Sequence, residues 1–444
     1  MKRVVLSAAA FAVAVVSAIA VAPGTAQAIP AFSRQTGTAC LHCHFQSFPA
    51  LNATGRAFKR GAFTDVGEQA LIEDDNLSIP AVLNASLLLS ADYTDTKQTG
   101  VAAAAPGYKN GTWSLPAAAP LLIAGRVGRH VGAYGEFAGG AGAANGQAVD
   151  NWQVLSSFDL GGFSAGLNVF NTRFGWTAGL EASNVFGQHA AVSNGGEVSA
   201  VENIGMVDFS TQGATLWAGN DLWLISLSGV SPDVSSLGAT NVGFAMIPGV
   251  RAMVTPEVRG WDTMIGGGLL NGTAGAAGPG GVKVAGADMW FIDAQAQGEI
   301  GEETLVGVFA DYAHTRAKAN VTYNIYGADP LVFDTATGQF VPGSGTTAAS
   351  GDKTDGWSIR AVVKTLDFLI LGAGYGETTY KPAAAASSKN RIWNAGVTYE
   401  LYQNAELKLV YSERKLDANY PTNTLLGAGT QTIRTTKLQL EALM

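Results

Sequence analysis

The sequence predicts a mainly β protein, a sixteen-stranded antiparallel transmembrane β-barrel, and three observations point there. Charged residues are only 14% of the 444, against about a quarter in ordinary soluble domains, and the 56 glycines are nearly double the usual share. After residue 28 no apolar run reaches the length that a membrane-spanning helix needs. From about residue 79 the side chains alternate apolar and polar with period two, and the links between alternating segments are by turns short and long. Bacterial outer-membrane barrels have even strand numbers, short periplasmic turns and long extracellular loops. The net charge of −8 is mild and points to no nucleic-acid partner.

The chain opens Met1-Lys2-Arg3, runs apolar from Val4 to Ala22, breaks at Pro23-Gly24 and reaches Ala26-Gln27-Ala28. A basic start, an apolar stretch and an A-x-A site predict a signal peptide over 1–28, removed before Ile29.

Residues 29–64 read as a separate small unit. They hold no Asp or Glu, while Arg34, Arg56, Lys59 and Arg60 make them locally +4. Residues 29–39 read as extended. The run Cys40-Leu41-His42-Cys43-His44 then matches C-x-x-C-H, the attachment motif for a c-type haem. In that chemistry Cys40 and Cys43 carry thioethers to one covalently bound haem c, and His44 is the metal ligand below the iron. The motif uses both cysteines of the chain. A structural zinc needs four protein ligands and a catalytic one three, and this region offers two thiols with His42 and His44. A redox disulfide would sit in a βαβ pattern, which is absent. A helix follows from about Pro49 to Arg60, stopped by Gly61. Arg suits salt bridging to haem propionates, the alternative being a solvated basic face. Acidic residues 65–78 read as a linker.

The barrel occupies 79–444. Its first strand shows Ile79, Ala81, Leu83, Ala85, Leu87, Leu89, Ala91 and Tyr93 on one face, alternating with Asn84, Ser86, Ser90 and Asp92. Further strands are expected near 119–127, 131–139, 149–159, 163–171, 211–219, 222–231 and 249–256. Eight more follow near 260–271, 286–298, 304–315, 354–365, 368–379, 390–401, 405–414 and 431–444. Tight links at Gly161-Gly162, Asn220-Asp221, Leu366-Asp367 and Tyr402-Gln403-Asn404 alternate with long ones, the largest near 95–118, 172–210, 272–285 and 316–353. Seven of the nine tryptophans fall in or beside these strands, as aromatic girdles require. The end, Glu441-Ala442-Leu443-Met444, lacks the aromatic residue such barrels usually carry there.

The run IPAFSRQTGTACLHCHFQSFPALNATGRAFKRGAF, from Ile29 to Phe63, strongly resembles the start of the outer-membrane cytochrome–porin fusions of iron-oxidising bacteria. Over the barrel, the length, the strand count and stretches such as 171–184 and 211–233 are more loosely similar. The resemblance implies a monohaem cytochrome segment fused to a porin-like barrel. It also implies oxidation of extracellular Fe(II), with electrons passed to a periplasmic carrier, a c-type cytochrome or a copper protein.

Size alone predicts where the small unit goes. A chain below about 40 residues seldom holds a core unaided, and a sixteen-stranded barrel has a lumen wide enough for water. Residues 29–64 are therefore expected inside the barrel or in its periplasmic mouth, as a helical plug. The side chain on the far face of the haem is left open among His130, His189, His314, Met206, Met246, Met253, Met264 and Met289, or none. Acidic residues in expected outer loops (Asp95, Glu181, Glu197, Glu202, Asp329, Asp334) carry no spacing specific enough for an iron site.

Overall fold

The structure is a computed structural model, and it describes residues 30–48, 50–75, 77–99, 111–137, 151–172, 198–204, 211–232, 246–274, 283–301, 303–324, 331–334, 339–342, 351–421 and 429–444. The expected signal peptide lies outside them, as do His189, Met206, Glu181, Glu197 and Asp329.

Sixteen antiparallel strands close on themselves. They are β1 (Ala85–Gln98), β2 (Thr112–Ala118 continued in Leu121–Gly128), β3 (Val131–Phe137) and β4 (Asn151–Ser156 continued in Phe158–Asp159). Next come β5 (Ser164–Thr172), β6 (Thr211–Gly219), β7 (Trp223–Pro232) and β8 (Ile247–Val254 continued in Glu257–Val258). The far side is β9 (Trp261–Ala274), β10 (Lys283–Ile300), β11 (Thr304–Arg316), β12 (Lys353–Leu366) and β13 (Leu369–Lys381). The circuit ends with β14 (Ser388–Tyr402), β15 (Ala405–Leu416) and β16 (Gln431–Leu443). Closure comes from β16 against β1, from Ile433 opposite Gln98 to Leu443 opposite Leu88. The last residue takes part without an aromatic ring: Met444 N donates to Leu87 O at 2.9 Å and Leu87 N to Met444 O at 2.8 Å. Every strand has its neighbour on both sides, so no edge is exposed.

Period two decides which way each side chain points. Along β12, Thr354, Ser358, Arg360, Val362 and Lys364 are buried, while Trp357 and Ile359 face out. The outward rows are apolar: Leu216, Leu227, Ile265, Ile292 and Leu409 are all exposed. Two aromatic bands frame them. At the long-loop end stand Trp290 with Tyr312, Trp357 with Tyr375, and Trp393 with Tyr411. At the tight-turn end stand Phe163 with Trp223 and Phe368 with Tyr399. Seven residues separate Phe368 from Tyr375, about 23 Å along a strand, which matches the roughly 25 Å apolar band of such barrels. The chain is an outer-membrane β-barrel.

Two expectations are corrected at the chain's start. Residues 29–39 are not extended but carry helix α1 (Pro30–Thr36). Pro30 opens it with a ring pre-set for the first helical position, and the Thr36 hydroxyl donates back to Phe32 O at 2.9 Å. The alternation from Ile79 does not continue into one strand. Ser78–Pro80 pairs with Leu71–Glu73 in a separate ribbon, and barrel strand β1 begins at Ala85. Pro80 has no N–H to give to a ladder.

Candidate functional site

The site is built on helices α2 (Cys40–Cys43) and α3 (Ala53–Arg60). Cys40 and Cys43 stand three residues apart on one turn, so both thiols share a face. His44 closes the turn, its N–H donating to Cys40 O at 2.9 Å. The chain then doubles back. Phe45 N donates to Ala50 O at 2.7 Å and Asn52 N to Cys43 O at 3.1 Å, with His44 opposite Leu51 in an isolated bridge. Asn52 locks the two helices together. Its carbonyl oxygen accepts from Gly55 N at 3.0 Å as the cap of α3, and its amide donates to His42 O at 3.1 Å. Gly55 is required where α3 meets the motif: a Cβ there would lie 2.2 Å from Cys43 O.

Neither cysteine is in a disulfide. Cys40 is buried, and its thiol donates to Gln403 O at 3.3 Å. Cys43 is half-buried, and its thiol is held above the ordinary range by burial first and by the Asp65 carboxylate second. Among the described residues no three His, Cys, Asp or Glu side chains are grouped to hold a metal ion, so the two thiols and His44 make no zinc set. Two unbridged thiols on one turn, with a histidine next in the chain, fit the donor set that covalent haem attachment uses.

Segment 30–63 lies in the tight-turn mouth of the lumen, because its side chains meet inward-facing residues all around the wall. Arg56 forks onto Asp262 of β9 at 2.6 and 2.7 Å, and Arg60 pairs with Asp221 in the β6–β7 turn. Gln46 Nε2 donates to Leu305 O of β11 at 2.8 Å, and Lys364 Nζ of β12 donates to Gln46 O at 2.9 Å. Phe48 is buried with Leu88, Leu122 and Leu443. On the other side Ala62 and Phe63 join Leu155, Trp217, Leu224, Met253 and Met264. Arg56 and Arg60 thus face barrel carboxylates rather than solvent. Arg34 reaches the carbonyl of Ala85.

The sequence candidates for the far face separate cleanly. His130 is exposed on the turn between β2 and β3 and stacks on Phe158 with centroids 5.0 Å apart. His314 faces outward and bonds Asp355 at 2.6 Å. Met246 lies beside Gly229 on the outward row, and Met289 is buried in a different cluster, with Phe291 and Ala287. Met253 and Met264 are the candidates packed against segment 30–63.

One feature escaped sequence reading. Residues 198–204, with helix α4 (Ala200–Asn203), are tucked into the lumen from the long loop between β5 and β6. Val198, Ala200, Val201 and Ile204 are each at most 1% exposed. Asp311 of β11 accepts from Val201 N at 2.7 Å and from Ser199 Oγ at 3.3 Å, and also binds Ser358 Oγ. Between this segment and the motif the wall carries Arg251 on Asp293 at 2.5 and 2.9 Å, over Phe291 at 5.0 Å, and Arg360 over Phe309 at 4.6 Å. Val198-Ser199-Ala200-Val201 is no more apolar than Ala190-Ala191-Val192 in the same loop, so composition offered no signal for it.

No family model matches the chain, and no curated protein does. Solved structures similar to it include outer-membrane proteins and porins. OmpT of Vibrio cholerae is 13% identical over 84% of this chain and 100% of its own, with a TM-score of 0.47. The anion-selective porin from Comamonas acidovorans is 13% identical over 82% and 99%, at 0.48. DcaP of Acinetobacter baumannii is 11% identical over 82% and 97%, at 0.46. Likeness at that level says nothing about activity.

Proposed function

We propose that this protein carries electrons across the outer membrane, taking them from extracellular Fe(II) through one covalent haem to a periplasmic c-type cytochrome or copper protein. The observation that carries the reading is the pair of unbridged thiols on one helical turn, followed by His44 and held in the tight-turn mouth of a closed barrel. Cys40 and Cys43 would hold the group by thioethers, and His44 would coordinate its iron. The group supplies a one-electron couple when bound. The chain's part is to fix and shield it. Asn52 and Gly55 set the turn, Arg56 and Arg60 tie the segment to the wall, and Phe32, Phe58 and Phe63 cluster with centroids 4.9 to 5.7 Å apart. Met253 and Met264 supply thioether sulfurs on the side where the segment meets the barrel.

Stopped-flow reduction of the purified protein by Fe(II), against sulfur compounds and other donors, tests this. Fast reduction by Fe(II) is expected. Sluggish reduction by Fe(II) beside fast reduction by another donor would leave a cytochrome with a different electron source. A second reading, a porin that segment 30–63 plugs, is favoured by the barrel architecture itself. Single-channel conductance separates the two: a porin whose plug opens shows porin-sized channels, whereas an electron carrier keeps its lumen filled from both ends and shows none.

A further inference from the structure

We propose that the outer face of β12 to β16 and β1 binds the phosphate groups of outer-leaflet glycolipid headgroups. Outward rows along these strands place cations directly beside cations. Lys353 is opposite Lys381, Arg391 opposite Lys415, and Lys97 opposite Arg434. Like charges facing each other across a sheet are destabilising unless counter-charge offsets them.

Carboxylates on the same outward rows and in the adjoining turn offset part of that cost. Asp355 binds Lys381, Glu377 binds Lys389 and Arg391, Asp417 binds Arg391, Glu413 binds Lys415 and Arg434, and Asp95 binds Lys97. The side chains of Asp355, Glu377 and Glu413 are 17%, 19% and 12% exposed, whereas Lys381, Lys415, Arg434 and Lys97 are 52%, 52%, 48% and 77% exposed. The cations outnumber these acids, with Lys353 beside Lys381 as well, and most of them reach further out, so the face that the membrane meets is basic in excess.

Depth fits as well. Arg391 is two residues beyond Trp393, and Lys415 four beyond Tyr411, on the same outward rows toward the long-loop end. That is about 7 to 14 Å past the aromatic band, the level of lipid headgroups, where basic clusters recognise anionic lipid. On the opposite side the outward rows of β5 to β7, which carry Leu167, Val169, Leu216, Ile225 and Leu227, hold no charged side chain among the described residues.

The test uses the purified, folded protein in detergent, with binding followed by native mass spectrometry. The probe is a diphosphorylated lipid A, compared with the same lipid stripped of its phosphates. Wild type is expected to keep the phosphorylated lipid and not the stripped one. The triple variant Arg391→Gln/Lys415→Gln/Arg434→Gln should bind it roughly a hundredfold more weakly, and Lys97→Gln alone about fivefold more weakly. Heat-modifiable migration on gels verifies that each variant is folded, and Lys97→Gln carries the test if the triple variant is not. Equal binding of both lipids, undiminished binding by the variants, or full displacement by inorganic phosphate at the lipid's own concentration would overturn the proposal.

Discussion

Cutting the tie between Arg56 and Asp262 should loosen the N-terminal segment while leaving the barrel standing. The Arg56 side chain is 3% exposed and that of Asp262 24%, so Asp262→Ala leaves a guanidinium buried without its carboxylate. Breaking a fully buried pair costs about 3–5 kcal/mol; Asp262 is partly wetted, which puts the expected cost here at about 2–3 kcal/mol. That energy is local, because the barrel's own ladder does not pass through segment 30–63. At about 1.4 kcal/mol per tenfold, the open population of the segment should rise roughly 30- to 150-fold. Limited proteolysis of the folded protein reads that population when opening is fast relative to cleavage. Cleavage within residues 30–78 should therefore accelerate by that factor, with heat-modifiable migration of the barrel unchanged. The variant Arg56→Met/Asp262→Leu, which removes both charges, should return most of the protection. Equal cleavage of wild type and Asp262→Ala would refute the inference that this ion pair anchors the segment.

Gly55→Ala would push a methyl group to 2.2 Å from Cys43 O and so force α3 away from the motif; covalent haem per folded barrel, measured by absorbance, should fall sharply. Asp311→Ala removes the acceptor for Val201 N and Ser199 Oγ; amide hydrogen exchange at Val201 should accelerate as residues 198–204 loosen, and an unchanged rate would show that Asp311 does not hold them there.

The barrel was legible because its physics is local. Alternation at Ala85, Leu87 and Leu89 is written in neighbouring residues, and each turn such as Gly161-Gly162 announces itself, with positive φ at both glycines. The motif was legible for the same reason, since Cys40 to His44 are consecutive. What sequence could not supply were contacts set by closure of the barrel. Arg56 meets Asp262 only because β9 passes that side of the lumen, 206 positions along the chain. The basic residues of segment 30–63 consequently read as a solvated face or as propionate partners, whereas Arg56 and Arg60 bind the wall. Residues 198–204 were hidden differently. A seven-residue segment gives too little periodicity to stand out in a long loop, and its partner Asp311 lies on a strand 110 positions away. Helix α1 was missed because seven residues are too few to show a 3.6-residue stripe beside Gly37.

The core of the N-terminal segment is not its own, and that has a consequence for how it folds. Ala62 and Phe63, 0% and 4% exposed, are covered by Leu155, Trp217, Leu224, Met253 and Met264, all from the barrel. A unit this short has too little apolar surface to stand alone, so its stability should answer to substitutions in the wall. Met264 is 0% exposed, and Met264→Ala should cost about 2–5 kcal/mol through lost contact and the cavity left behind. Because the barrel is held independently by its closed ladder, this cost should appear as faster amide hydrogen exchange in α3, residues 53–60, with strand amides little changed. Leu409→Ala, on the lipid-facing row at 46% exposure, should leave exchange in α3 as it was. If α3 exchanges alike in wild type and Met264→Ala, the segment has a core independent of the barrel. The size argument that places it in the mouth would then fail.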